Sequence, residues 1–163
     1  GAKPVALIFS LATAFASVSH AETVVKNADE LRAALTNGDT EIKIMPSRNI
    51  KIDETLEYTG TDPLTIYGNN AKISTNEEIN IIEITDGADL TIKDLQIIGP
   101  GGYSIENQGT GIGILLNVPE ATTGMVELDL HNVTIKDNAE FGFGFRLAID
   151  KHNLQAKDLL QKY

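Results

Sequence analysis

The chain has 163 residues, of which 42% are hydrophobic, so it is long enough for one domain with a buried core. It contains no cysteine, which excludes a disulfide framework and a thiolate metal site. Asp and Glu outnumber Lys and Arg by 23 to 13, and the basic residues form no cluster along the sequence. We therefore expect no binding to nucleic acid or to anionic lipid.

The first 21 residues have the pattern of a secretory signal. Lys3 precedes the apolar run PVALIFSLATAFASV, and the small residues Ser19 and Ala21 are spaced as in an A-x-A cleavage site before Glu22. The apolar run is too short for a comfortable membrane span. We predict a signal peptide over residues 1–21 and a secreted or periplasmic mature chain, with no membrane insertion after the signal is removed.

One short helix is predicted next, in the segment NADELRAALTNG. Asn27 is the expected N-cap, Glu30 follows three residues later, and Gly38 marks the end. The apolar residues between them recur at helical spacing, which predicts one buried face made of Leu31, Ala34 and Leu35.

The chain from there to residue 147 consists of short segments in which apolar and polar residues alternate, as in half-buried strands. LTIKDLQI and LDLHNVTI share one pattern 38 positions apart. In the first, the apolar series steps by three from Ile92 to Leu95, which a straight strand would place on opposite faces. The pattern therefore predicts a bend at Asp94 and an equivalent bend at Asn132.

Other segments repeat as well. LTIYG at Leu64 precedes LTIKD at Leu90 by 26 positions, and GIGI at Gly111 precedes GFGF at Gly142 by 31. Periods of this size indicate a solenoid, in which three short strands per coil lie parallel to those of the next coil. An antiparallel sandwich would also give short strands, but it offers no reason for the same corner to recur at the same phase. His131, at the repeat position of Lys93, is predicted to be an outward corner residue without a metal role.

These segments resemble the right-handed parallel β-helix of the pectate-lyase-like superfamily, over roughly Thr23 to Leu147. ELRAALTNGDTEIKI is similar to its usual beginning, and LTIKDLQI and LDLHNVTIKDN are similar to its repeat units. The resemblance implies an all-β right-handed parallel β-helix of about three to four coils over residues 22–147, with an N-terminal capping helix. In the first coil, YGNNAKI shifts the corner by two positions.

The tail over residues 148–163 differs in character from the repeats. Leu154, Leu159 and Leu160 are separated by polar residues, which predicts a short C-terminal helix covering the open end of the coils. The alternative is that the chain is only the N-terminal part of a longer β-helix, since three to four coils are few for an enzyme of this kind.

The strand pattern also predicts a face for ligand contact. NIIEIT, GIGILL and FGFGFRL should stack as one parallel sheet, with LTIKD and VELDL in a second and LQII and VTIK in a third. In the first sheet, the expected inward residues are Ile82, Ile84, Ile112, Ile114, Phe143 and Phe145. The expected outward residues are Glu83, Gly111, Gly113, Gly142, Gly144 and Arg146.

In the family that the chain resembles, polysaccharide lies on this face, and the lyases bind calcium there through carboxylates. The resemblance implies Glu83 and Glu106 as calcium ligands, because calcium prefers oxygen donors, with Asn107 beside them. Arg146 would neutralise a sugar carboxylate, and Tyr103 would stack on a sugar ring. The alternative is that the carboxylates belong to a solvated face and that Tyr103, beside glycines, anchors a loop. No catalytic motif of the family is recognisable, so no catalytic residue is carried over.

Two functions remain open. The first is an exported carbohydrate-associated protein, a polysaccharide lyase or related enzyme that uses calcium-assisted proton abstraction and β-elimination. The second is a noncatalytic adhesion, structural or binding module for polysaccharide or cell-surface glycan. Long loops beside a glycine-rich face favour ligand contact, whereas the absence of closely paired carboxylates and of an obvious base in the sequence favours the noncatalytic alternative.

Overall fold

The computed structural model describes residues 22–102, 110–120, 122 and 124–147. The predicted signal peptide, 1–21, and the predicted C-terminal helix within 148–163 lie outside these residues. The described part of the chain is largely β, mostly parallel sheet with one short helix. In chain order its elements are β1 (Thr23–Val25), α1 (Ala28–Thr36), β2 (Glu41–Ile44), β3 (Asn49–Lys51), β4 (Leu56–Tyr58), β5 (Leu64–Ser74), β6 (Ile82–Ile84), β7 (Leu90–Ile98), β8 (Ile114–Val118), β9 (Leu128–Lys136) and β10 (Phe143–Leu147).

Helix α1 forms as its sequence predicts. The Asn27 side chain accepts a hydrogen bond of 2.8 Å from the Glu30 backbone N–H, and its own amide donates to the Glu30 carboxylate at 3.3 Å. The first bond satisfies a backbone N–H that the first turn leaves without a helical partner, and the second joins the two side chains. Gly38, at φ 78°, ends the helix in a left-handed conformation that glycine adopts without strain. The predicted face of Leu31, Ala34 and Leu35 is buried.

The strands form two parallel sheets. The six-stranded sheet has the order β1-β2-β5-β7-β9, with β3 paired to β5 as well, and the four-stranded sheet has the order β10-β8-β6-β4. Every strand pair is parallel. Parallel neighbours need crossover connections. Helix α1 lies between the paired strands β1 and β2, and from β4 onward each crossover passes through a strand of the other sheet. The inward apolar residues of both sheets join in one buried core.

The 26- and 38-residue repeats of the sequence align in register, as predicted. Leu64 pairs with Leu90, and Leu90 pairs with Leu128, which are the 26- and 38-residue steps of the sequence. In the four-stranded sheet Ile82 pairs with Ile114, which pairs with Phe143. Equivalent apolar positions therefore lie in inward rows that cross the strands.

The predicted bends are present. Asp94 and Asn132 both have φ 53°, and the Asn132 side-chain amide donates a hydrogen bond of 2.8 Å to the Asp94 carboxylate in the neighbouring strand. In β5 the bend takes two more residues, Asn69 and Asn70, both with positive φ, and the register with β7 shifts there. This is the two-position shift that YGNNAKI predicts. The predicted second and third sheets are therefore the two halves of one bent sheet.

Two details of the first predicted sheet were wrong. Gly111, Gly113 and Gly144 are buried instead of facing outward into an open groove. A Cβ on Gly113 would lie 2.4 Å from the Gly142 carbonyl oxygen, and one on Gly111 would lie 2.7 Å from the Ala139 Cβ. These glycines are needed because the chain around residues 138–142 passes directly over them. The second wrong detail is the register of GIGI and GFGF, because Ile114 pairs with Phe143 at a step of 29 residues instead of 31. Phe143 itself packs inward against the core, as predicted, and is partly buried.

Candidate functional site

The predicted ligand face is the outer surface of the four-stranded sheet. Glu83 lies on β6 between the buried residues Ile82 and Ile84, and Arg146 lies on β10. Their side chains approach each other, with 3.8 Å between the guanidinium Nη1 and the carboxylate Oε1. The Glu83 side chain is 14% exposed and that of Arg146 is 53% exposed. The structure thus brings together two of the five predicted site residues, as a partly covered ion pair.

The other three predicted site residues, Tyr103, Glu106 and Asn107, lie outside the described residues. The predictions that Tyr103 stacks on a sugar ring and that Glu106 binds calcium with Asn107 beside it therefore stay predictions.

Two further residues of this face were not singled out by the sequence. Glu57 on β4 is the register partner of Glu83, so two acidic residues lie side by side in neighbouring strands. The backbones of such strands are about 4.8 Å apart. Asn117 on β8 is the register partner of Arg146, and its side-chain Oδ1 is buried without a hydrogen-bond partner. Register could have found Glu57, because LEY aligns with IEI once the repeats are set side by side. It could not have found Asn117, because the GIGI and GFGF repeats place Arg146 opposite Leu115, whereas the structure pairs it with Asn117.

The described residues of this face can be compared with the ligands that a calcium ion needs. Glu57 and Glu83 supply carboxylate oxygens and Asn117 supplies an amide oxygen, which are the donors that calcium prefers. The Arg146 guanidinium, however, already faces Glu83. Within the described residues, no group of three or more His, Asp or Glu side chains is arranged to hold a metal ion. The donor types suit calcium, while the number of described carboxylates is small for it.

A second polar surface lies on the outer face of the six-stranded sheet, and sequence analysis missed it. Lys43, Tyr67, Lys93 and His131 occupy one row across β2, β5, β7 and β9, each the register partner of the next. We call these four residues the basic row. The sequence separates them by 24, 26 and 38 positions, so they form no cluster along the chain. In β2, β5 and β7 the row residue directly follows a buried Ile, and in β9 His131 follows the partly buried Leu130. This alternation is the signal in the sequence that marks the row.

Two contacts orient side chains of the basic row, one within the row and one to a neighbouring residue. The Lys93 ammonium lies 5.6 Å from the centre of the Tyr67 ring, within the range of a cation–π interaction. His131 Nε2 lies 3.0 Å from the Asp129 carboxylate. Tyr67 and Lys93 are half-buried, whereas Lys43 and His131 are exposed. His131 is thus an outward residue beside the bend, as predicted.

Comparison with protein-family models, with curated proteins and with solved structures found no match for this chain. Among the residues that the structure describes, no helix is both long and apolar enough to cross a membrane.

Proposed function

We propose that this chain is a right-handed parallel β-helix of about three to four coils, from an exported protein that binds polysaccharide on the outer face of its four-stranded sheet. The fold proposal is supported by parallel strands that alternate between two sheets and by repeats that stand in register. Export is supported by the sequence pattern of residues 1–21.

The observation that supports binding on this face is the group formed by Glu83, Arg146 and Asn117. Among the residues that the structure describes, Asn117 Oδ1 has no hydrogen-bond partner although it is buried, and such atoms are uncommon in folded proteins. A sugar hydroxyl could donate to this oxygen after a small rearrangement. Arg146 is half-exposed and can make paired hydrogen bonds to a sugar carboxylate. Together they offer an acceptor, a cation and an acid within one short stretch of sheet.

The geometry favours binding over catalysis. The Glu83 carboxylate faces the Arg146 guanidinium at 3.8 Å, so each group reduces the charge that the other presents to a substrate. A lyase would need a base that removes a ring proton, and the four described strands of this sheet carry no Lys or His. Calcium-assisted elimination by a polysaccharide lyase is the second candidate, because the neighbouring carboxylates of Glu57 and Glu83 could share a cation.

The test is binding of the purified chain to polygalacturonate, alginate and a neutral glucan, with and without calcium, followed by thermal shift and by ultraviolet absorbance of unsaturated product. We expect Arg146→Gln to weaken binding by roughly tenfold to a hundredfold, because a charge-assisted hydrogen bond is worth roughly 1.5–3 kcal/mol. Lys26→Gln is the matched control, since it removes the same charge from an exposed residue outside both sheets.

The outcomes separate the two candidates. Binding without new absorbance supports a noncatalytic module, and absorbance that needs calcium and is lost in Glu83→Gln supports a lyase. If Arg146→Gln binds as well as Lys26→Gln does, the four-stranded face is not the binding surface.

A further inference from the structure

The basic row is an exception to the charge of the chain. The whole sequence carries a formal net charge of −10, yet the row contains two lysines, a histidine and a tyrosine and no carboxylate. The outer positions of the six-stranded sheet hold five lysines in all, and they outnumber the carboxylates there. Those lysines are Lys43, Lys51, Lys72, Lys93 and Lys136, and the carboxylates are Glu41, Asp94 and Asp129.

The spacing of the row is set by the sheet. Neighbouring strands lie about 4.8 Å apart, so the four side chains extend over roughly 14 Å in a line perpendicular to the strands. Their order is cation, ring, cation, imidazole. Beside them runs a second row, in which the hydroxyls of Thr65 and Thr91 lie between the carboxylates of Glu41 and Asp129. A linear ligand that crosses the strands would meet charges, a ring and hydroxyls at regular steps.

We propose that the basic row is a second binding site, for an anionic polysaccharide that lies across the strands of the six-stranded sheet. Lys43 and Lys93 would pair with carboxylate or sulfate groups on the sugars. Tyr67 between them presents a half-buried ring against which a sugar can pack, with Lys93 holding the ring in place from one side. Thr65 and Thr91, half-exposed beside the row, can exchange hydrogen bonds with sugar hydroxyls.

A polysaccharide suits this row better than a nucleic acid does. Nucleic acid carries a dense line of phosphates, and a chain with this excess of acids would repel it beyond the four-residue row. A uronate polysaccharide carries one carboxylate per sugar together with several hydroxyls, which matches two lysines with threonines beside them. The inference rests on the proposed association with carbohydrate, but it concerns the opposite sheet from Glu83 and Arg146.

The test compares matched double variants for binding to immobilised alginate, a carboxylated polymer, to dextran sulfate, and to neutral dextran. Lys43→Gln/Lys93→Gln removes two charges from the row. Lys26→Gln/Arg48→Gln removes two charges from exposed or weakly paired residues outside it. We expect the row variant to lose roughly fivefold to tenfold in affinity and the control variant less than about twofold, as for a few exposed charge pairs.

Equal losses in both double variants would overturn the proposal, because the attraction would then be nonspecific. Thermal midpoints serve as the folding check, and Tyr67→Ser, which keeps every charge, should also weaken binding. Comparing the affinity for alginate with the affinity for dextran sulfate shows whether the site prefers carboxylate or sulfate.

If Arg146→Gln abolishes binding while the row variant does not, the four-stranded face binds alone, so the proposed function stands and the basic row does not. If binding is lost in Lys43→Gln/Lys93→Gln but not in Arg146→Gln, the basic row is the binding site, and the polysaccharide binds on the six-stranded sheet instead of the four-stranded one.

Discussion

At the scale of single residues, Tyr58 shows how one polar atom is accommodated in the core. It is the largest side chain that is completely buried, and its hydroxyl donates a hydrogen bond of 2.8 Å to the Asp62 backbone carbonyl. A Cβ on Gly60 would lie 2.6 Å from the ring, so the chain passes close over the phenol. The hydroxyl is therefore enclosed, and its proton is held by the carbonyl of a neighbouring turn.

Burial, and to a smaller extent the charge of Asp62, raises the pKa of Tyr58 above its ordinary value of 10.0. A raised pKa means that the unfolded chain releases this proton before the folded chain does. The stability from neutral Tyr58 is fully present below about pH 10 and is lost as the pH rises through the higher pKa of the folded chain. We expect the free energy of unfolding, measured with urea between pH 8 and 11, to fall less steeply in Tyr58→Phe. A slope identical to that of the wild type would show that other groups control the alkaline loss.

At the scale of elements, the bent strands β5, β7 and β9 depend on residues that accept positive φ. Asp94 and Asn132 each have φ 53°, and their side chains join the two bends through one hydrogen bond. Asp and Asn tolerate this conformation better than most other residues, whereas a left-handed conformation costs roughly 1–2 kcal/mol for an ordinary L-residue. The short polar residues at the bends therefore let one strand contribute to both halves of the sheet.

Substitutions at Asn132 separate backbone strain from the hydrogen bond. Asn132→Ala should lower the free energy of unfolding by about 1–2 kcal/mol, because it combines strain with loss of the bond to Asp94. Asn132→Gly loses the same bond but relieves the strain, so it should cost less than Asn132→Ala. Thr134→Ala, two residues along the same exposed face, is the control for a change in strand propensity. Chemical denaturation measures all three, and equal losses for Ala and Gly would argue against strain at the bend.

Sequence patterns predicted these elements because they are local or periodic. The cap at Asn27 needs only residues three apart, and the bends at Asp94 and Asn132 follow from a phase step inside each repeat. The burial of Gly111 and Gly113 could not be predicted, because it depends on where the segment at 138–142 folds back over them. The basic row requires register across three connections of different lengths, and the Glu83–Arg146 contact requires side-chain conformations. The alternation of apolar and polar residues predicts which face of a strand is buried. It does not predict which other segment of the chain packs against that strand.

At the scale of the whole molecule, the two ends of the sheets differ. At the N-terminal end, α1 packs its apolar face against β1, β2 and β4. At the C-terminal end, β9 and β10 are the outermost strands of their sheets, and their inward residues are less covered than those of the preceding repeat. A cavity of about 430 Å³ opens there, lined by Leu128, Leu130, Phe143 and Phe145 among others. Beside it, Met125 is 70% exposed.

Matched substitutions in one inward row measure this difference. Ile92 on β7 is 0% exposed, and its register partner Leu130 on β9 is only partly buried. Ile92→Ala should cost about 2–5 kcal/mol, because it removes buried methyl groups and leaves a cavity between two strands. Leu130→Ala should cost about half as much or less, because its side chain is only partly buried and no further described strand pairs with β9 on its other side. The free energies of unfolding from urea titration decide the comparison. If the two losses are equal, Leu130 is as well covered in solution as Ile92, and the outermost strands pack against a further part of the chain or a second molecule.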